Sequence, residues 1–338
     1  MKDPVTSNGS ATTDLAGLRI VVLSGGTSHE REVSLRSGRR VAEALERHGA
    51  RVETVDPGPR LLPELRAEPP DLVWPVLHGS GGEDGALFGL LRAAGLPYIG
   101  PRPGAARLAW NKANAKTLVR RAGLSAPPGL VLPESLFRDL GAQQVIESFT
   151  EGVGLPAVVK PVTGGSAQGV GRVDAPEHFG RALVTALGYA DAVLVERAVF
   201  GREVMVGVAD LGEGPIATPA VEAVPNDGVF DYEARYNAGE TSYFVPAWVS
   251  EAVAGRIRDT ALTAFETIGL ADLARIDMIV DEQGVPWFIE ADAVPGLTET
   301  SIVPMGLAAM DVEPQTAYAR LAARAIERGP RAFDPRRP

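Results

Sequence analysis

Hydrophobic and polar positions divide the chain into short apolar runs, glycine-rich turns and longer stretches of helical period. Residues 18–24 form a short apolar strand. After Gly25-Gly26-Thr27-Ser28, a helical pattern runs from about 32 to 48, with Val33, Leu35, Val41 and Leu45 on one side. Residues 51–55 and 72–77 read as the next strands. The second leads into His78-Gly79-Ser80-Gly81-Gly82-Glu83-Asp84-Gly85. A helix to Ala94 and a short strand from Tyr98 follow. Strand–helix alternation implies an α/β fold with a mainly parallel sheet covered by helices. Ligands of such sheets bind beyond the strand C-termini. Residues 25–30 and 78–85 both lie at such ends, and residues 101–103 look like a boundary.

The second half begins with a helix at about 110–122, then Pro127-Pro128. Residues 156–162 are an apolar strand carrying Lys160, followed by Gly164-Gly165-Ser166-Ala167-Gln168-Gly169 and a return strand at 170–173. A helix at 176–187 leads to a strand at 192–196. A third segment starts near Val199, with strands at 203–208 and 216–224 and a hairpin within 274–292. Helices at about 250–269 and 313–328 complete it. A polar loop from about 225 to 243 is longer than most compact connections, as active-site lids often are.

The hairpin is the most informative segment. Ala274 to Val280 and Val285 to Asp292 read as strands, with Asp281-Glu282-Gln283-Gly284 as a turn between them. Side chains alternate along a strand, so Glu290 and Asp292 share a face. A two- or four-residue connection puts Arg275 and Asp277 on that face too. A three-residue loop flips them apart. Three carboxylates then meet one arginine among Ile, Val and Phe, where unpaired charge is costly, so a cation is implied. Oxygen ligands alone suit Mg²⁺, which commonly arrives on nucleotide phosphates. The plainer alternative is an edge strand with solvated acids.

Composition narrows the classes. The chain has 338 residues, enough for two or three domains. A net charge of −10 argues against nucleic-acid binding through a broad basic surface. There are no cysteines, which excludes disulfides, thiolate metal sites and a Cys nucleophile and fits a cytoplasmic protein. No apolar run reaches the ~18 residues of a membrane span. The first 17 residues are polar and read as a leader without a signal-peptide core.

Several motifs have both structural and functional readings. Residues 25–30 offer backbone amides at a helix start, which attract anions, but Thr27 and Glu30 also fit a capping box. Lys160 before a glycine-rich loop suits phosphate binding without the P-loop spacing; it could equally snorkel from a surface hairpin. Lys112, Glu196 and Glu203 read alone as surface charges, and a lone His78 as a hydrogen-bonded structural residue.

Taken in order, Gly25-Gly26-Thr27-Ser28-x-Glu30, His78-Gly79-x-x-Gly82-Glu83-Asp84-Gly85, Lys160-Pro161, Gly201-x-Glu203, Tyr232-Glu233-Ala234-x-Tyr236, Arg275-x-Asp277 and Glu290-x-x-x-x-Pro295-Gly296-x-Thr298-x-x-Ser301 resemble the D-alanine–D-alanine ligase family of the ATP-grasp superfamily, over residues 18–328. The resemblance implies a three-domain ATP-grasp fold: a Rossmann-like domain at 18–101, a central subdomain at 102–197 and a C-terminal subdomain at 198–330. It implies ATP-dependent ligation of two D-alanines through an acyl phosphate, for peptidoglycan precursors, by a cytoplasmic homodimer. ATP and Mg²⁺ are the implied cofactors, with Mn²⁺ as a substitute. By resemblance Asp277, Glu290 and Asp292 hold the metal. Lys112, Lys160, Gly165, Ser166 and Arg235 serve the phosphates, and Glu196, Val199 and Glu203 the nucleoside. Glu30 and His78 receive the first D-alanine, and Ser301 with the Gly296 amide the second. Ser166 and Tyr236 link to Glu30, and Arg275 stabilises the tetrahedral oxyanion.

Some positions depart from the family pattern. Asn111 stands where Asp is usual, Gly164 and Ala167 where Glu and Ser are, Arg235 for Lys, and Asp292 for a metal-binding Asn. Ala291, Ala293 and Leu297 vary near the second substrate. Tyr236 favours an amine acceptor over D-lactate. The departures leave open a ligase of specialised metabolism joining another amino-acid pair. A nucleotide-binding regulator is the reading from a different class.

Overall fold

The computed structural model describes residues 13–226 and 239–332. They form three sheets. The first contains β1 (Arg19–Leu23), β2 (Arg51–Val55) and β3 (Leu72–Pro75) in the order β2-β1-β3, all parallel. The run in β1 is continuously apolar because both faces are covered. Ile20 and Val22 join Val41 and Leu45 of the helix Arg31–Arg47 and Tyr318 and Leu321 of the terminal helix Pro314–Arg328. Val21 and Leu23 join Leu61 and Leu65 on one helix and Phe88 and Leu91 on another. Trp74 meets Tyr318 edge-on, with ring centroids 5.9 Å apart. The expected strand at Tyr98 is only a single bridge to Val73.

The second sheet contains β4 (Gly129–Pro133), β5 (Ala157–Pro161), β6 (Gly171–Val173) and β7 (Ala192–Arg197) in the antiparallel order β4-β7-β5-β6. Val159, Val193 and Val195 pack on Phe149 and Phe179 of the covering helices. Val158, Lys160 and Glu196 face a cleft on the other side. Sequence periodicity leaves β4 and the helices Glu134–Leu140 and Ala142–Gly152 unread. β4 is an edge strand with one buried residue, and Glu134–Leu140 buries none, so neither carries an amphipathic signal.

The third sheet contains β8 (Arg202–Asp210), β9 (Pro215–Ala217), β10 (Val221–Pro225), β11 (Thr241–Phe244), β12 (Leu273–Val280) and β13 (Pro286–Asp292). Its order is β11-β10-β8-β12-β13, with β9 also on β8, antiparallel throughout. The strand expected over 216–224 is therefore two, parted around Pro219, which has no N–H for a ladder. β11 occupies the end of the expected lid loop. Val204, Val206 and Val208 of β8 and Ala274, Ile276 and Met278 of β12 pack against Ile257, Ala261 and Phe265 of the helix Glu251–Ile268. Ser250 caps that helix, and Gly269 ends it at φ +80°.

The helix expected over 110–122 is Lys112–Arg121, and a separate helix, Pro103–Trp110, precedes it, the two parted at Asn111. Asn111 caps the second by accepting from the Asn114 N–H at 3.0 Å. The Lys112 N–H donates to the Val162 carbonyl at 2.9 Å, which ties this helix start to the end of β5.

Candidate active site

Five residues, 281–285, connect β12 to β13. An odd loop should flip one strand's faces relative to the other. Near the loop the register is indeed Val280↔Pro286 and Met278↔Phe288. A β-bulge at Ile289 then adds one residue, and beyond it Asp277 pairs with Glu290 and Arg275 with Asp292. Phe288 thus points into the apolar core, while Glu290, two residues on, lines the clefts. The convergence expected from an even loop arises from an odd loop and a bulge together.

Arg275 sits among the three carboxylates. Its Nε lies 2.7 Å from Asp277 Oδ1, its Nη1 2.9 Å from Asp292 Oδ2 and its Nη2 4.0 Å from Glu290 Oε1. Lys112 Nζ is 3.6 Å from Glu290 Oε2. Burial opposes the charge on Arg275, but Asp277 and Asp292 outweigh it and raise its pKa further. Burial lowers the pKa of Lys112 despite Glu290. These two side chains already balance part of the acidic charge, so burial cost alone does not demand a metal ion here. Among the described residues no group of three acidic, histidine or cysteine side chains is arranged to hold one.

Two adjoining clefts meet at Lys112 and Glu290. The first, about 270 Å³, lies between the second and third sheets and is lined by Val158, Lys160, Val199, Phe200, Glu203, Met278 and Ile289. Lys160 lies diagonal to Glu196 across the β5–β7 ladder, and its Nζ is 2.6 Å from Glu196 Oε1. Lys116 Nζ bonds the other oxygen, Glu196 Oε2. The Glu196 carboxylate, expected at the nucleoside, is therefore held by two buried lysines, and its pKa falls because they outweigh its burial.

The second cleft gathers residues far apart in sequence. The Ser166 hydroxyl donates to Glu30 Oε1, and Lys112 Nζ to the Gly164 carbonyl, so the loop after β5 closes on both sides. Ser166 and Ala167 both hold φ at +55°, a strained conformation for residues with a Cβ. The Thr27–Glu30 capping box is not formed. Glu30 is itself the N-cap residue of its helix, without a side-chain cap bond. His78 Nδ1 donates to the Val294 carbonyl at 2.9 Å, while its buried Nε2 has no partner among the described residues. Ser301 Oγ accepts from the Thr298 N–H at 3.0 Å. A Cβ on Gly296 would stand 2.9 Å from that oxygen, so a larger residue there would push the Ser301 hydroxyl aside.

Sequence reasoning gave no role to Glu83 or Lys116. Glu83 is buried, lines the second cleft and accepts from the Gly79 N–H at 2.8 Å. Burial, with Asp292 and Glu30 nearby, holds its carboxyl well above the usual range. Its place in the His78–Gly85 motif was a usable signal. Lys116 had none beyond its spacing of one helical turn from Lys112. Arg235 and Tyr236 lie outside the described residues.

A family model described as D-ala D-ala ligase C-terminus matches residues 118–323. A D-alanine–D-alanine ligase of Alkalilimnicola ehrlichii is 40% identical over 296 residues, 87% of this chain and 90% of that protein. The VanG D-Ala:D-Ser ligase structure from Enterococcus faecalis superposes with TM-score 0.78 at 25% identity, over 92% of this chain and 98% of the other. D-alanyl-alanine synthetase A from Vibrio cholerae shares the fold, with TM-score 0.81 at 24% identity, over 92% and 99% of the two chains.

Proposed function

The chain belongs to the D-alanine–D-alanine ligase family, and from that premise we propose that it joins two D-alanines to D-alanyl-D-alanine with cleavage of ATP. The observation that carries the reading is the position of Arg275. It sits with Asp277, Glu290 and Asp292 where a lysine-lined cleft meets one containing Glu30, His78 and Ser301. Two substrates in adjoining clefts would put their reacting groups at that junction.

In this reading the carboxylate of the first D-alanine attacks the γ-phosphate of ATP, giving an acyl phosphate and ADP. The amine of the second attacks the acyl carbon, the tetrahedral centre collapses, and phosphate leaves. Glu30 receives the first ammonium group, and the open Nε2 of His78 is near its carboxylate. Ser301 and the Gly296 amide receive the second carboxylate. Arg275 is poised for the oxyanion, a role often worth several kcal/mol. Lys112, Lys160 and the amides around Gly165 and Ser166 take the phosphates, and Val199 and Glu203 face the nucleoside. Arg235 and Tyr236, outside the described residues, are given by the family resemblance the roles of meeting the phosphates and linking to Glu30, and exclusion of water would protect the acyl phosphate.

The all-oxygen set of Asp277, Glu290 and Asp292 suits a hard divalent cation, Mg²⁺ first and Mn²⁺ as substitute, with Arg275 yielding part of its hold. Such an ion would neutralise phosphate charge during transfer. No helix among the described residues is long and apolar enough to cross a membrane. We place the enzyme in the cytoplasm, as a homodimer, making peptidoglycan precursors.

The test is the full chain with ATP, Mg²⁺ and D-alanine, following ADP release and product mass together. D-alanyl-D-alanine formed at an enzymatic rate supports the reading. ADP release only with another amino-acid pair moves it to a specialised ligase. Arg275→Ala should lower ligation by about 10²–10³-fold while ATP still binds. Undiminished ligation by that variant removes the oxyanion role.

A further inference from the structure

Behind the first cleft, one carboxylate serves two ammonium groups. Glu196 receives Lys160 at 2.6 Å on one oxygen and Lys116 on the other, and all three side chains are buried. Lys160 and Glu196 line the cleft, whereas Lys116 approaches from behind on the helix Lys112–Arg121. A single Lys–Glu pair would balance its charge. A second buried lysine adds a large desolvation cost, and the further carboxylate acting on Lys160, that of Glu290, also receives Lys112. With both lysines protonated the three side chains carry one positive charge in excess, beside the cleft that Lys160 and Glu196 line.

We propose that Lys116 is a positioning residue for nucleotide binding: by neutralising Glu196 from behind, it frees the charge of Lys160 for the triphosphate. The inference rests on the assignment of Lys160 to the phosphates. Without Lys116, Glu196 and Lys160 remain as a neutral pair, and the cleft loses part of its attraction for an anion. Burial, with Lys160 adding to it, lowers Lys116 to about 7 against the pull of Glu196, while Lys160 keeps a raised pKa because Glu196 outweighs its burial. An incoming triphosphate supplies the negative charge that is short.

The test compares Lys116→Met, Lys160→Met and the double variant Lys116→Met/Glu196→Gln, all in the full chain. ATP binding is read by calorimetry, and KM for ATP and for D-alanine separately. Lys116→Met should weaken ATP on the order of tenfold, the size of one charge-assisted contact, and leave KM for D-alanine within about twofold. The double variant, which removes both charges and leaves Lys160 alone, should recover most of the lost ATP affinity. Equal losses for ATP and D-alanine, or a double variant no better than the single, would show that Lys116 only supports the fold. Should Lys160→Met weaken ATP while Lys116→Met does not, this inference fails and the phosphate assignment stands. Should Lys160→Met leave ATP binding unchanged, the phosphate assignment fails and takes the inference with it.

Discussion

At the residue scale, the site brings like charges together and controls them by different means. Asp277 and Asp292 are met by Arg275, and Glu290 by Lys112. Glu83 receives the Gly79 N–H but faces Asp292 and Glu30, and burial with these two carboxylates raises its pKa well above the ordinary range. The sign follows from linkage. Between the ordinary carboxylate pKa and the raised one, the folded chain keeps a proton that the unfolded chain has released. Stability contributed by this group is present at low pH and falls as pH rises through that window. Glu83→Gln carries no such proton, and its amide oxygen can still accept from Gly79. Its melting temperature relative to the parent should be unchanged near pH 4 and should rise steadily towards pH 8. A difference that stays flat with pH would mean Glu83 is ionised in the folded protein.

At the element scale, small irregularities aim the side chains. The bulge at Ile289 lets a hairpin with an odd loop present Arg275, Asp277, Glu290 and Asp292 to one side. The break at Asn111 starts a new helix where Lys112 reaches Glu290 and the Gly164 carbonyl. Asn111 departs from the family's usual Asp, yet either side chain can accept from the N–H at N3 of the helix. Asn111→Asp should therefore be nearly neutral in stability. Asn111→Ala should cost about 1 kcal/mol, read from the midpoint of chemical denaturation. Equal midpoints for the parent and the alanine variant would mean that the bond seen at 3.0 Å contributes nothing.

At the scale of the whole molecule, the chain's end is fastened to its first third. Asp272, at φ +63°, accepts from the Gly100 N–H at 2.9 Å, from Arg328 Nη1 at 2.5 Å and from Arg331 Nη2 at 3.1 Å. Arg328 also donates to the Tyr98 carbonyl and Arg331 to that of Gly100. The terminal helix packs Tyr318 and Leu321 into one core with β1 and β3. Asp272→Asn keeps a residue that tolerates the left-handed backbone but removes the charge. It should destabilise the protein by about 2–3 kcal/mol, below the cost of breaking a fully buried pair because Arg328 is partly exposed. A loss under about 0.5 kcal/mol, the size of an exposed ion pair, would show the fastening to be superficial.

The sequence by itself determined much of this protein. Apolar period and glycine punctuation marked the parallel N-terminal sheet, the β5–β6 and β12–β13 hairpins and the long helices, because those patterns follow from local geometry. The ordered motifs carried the family and most cleft residues, since backbone turns and charged groups at strand ends leave a mark in residue type. What remained was decided by tertiary structure. The face taken by Glu290 depended on a bulge that alternation does not encode. The edge strand β4 and the helix Glu134–Leu140 bury too little to show a period. The partnership of Lys116, Lys160 and Glu196 joins positions up to 80 residues apart in the chain. A lysine on a helix reads as surface charge until the fold surrounds it, and only then does its charge require a partner.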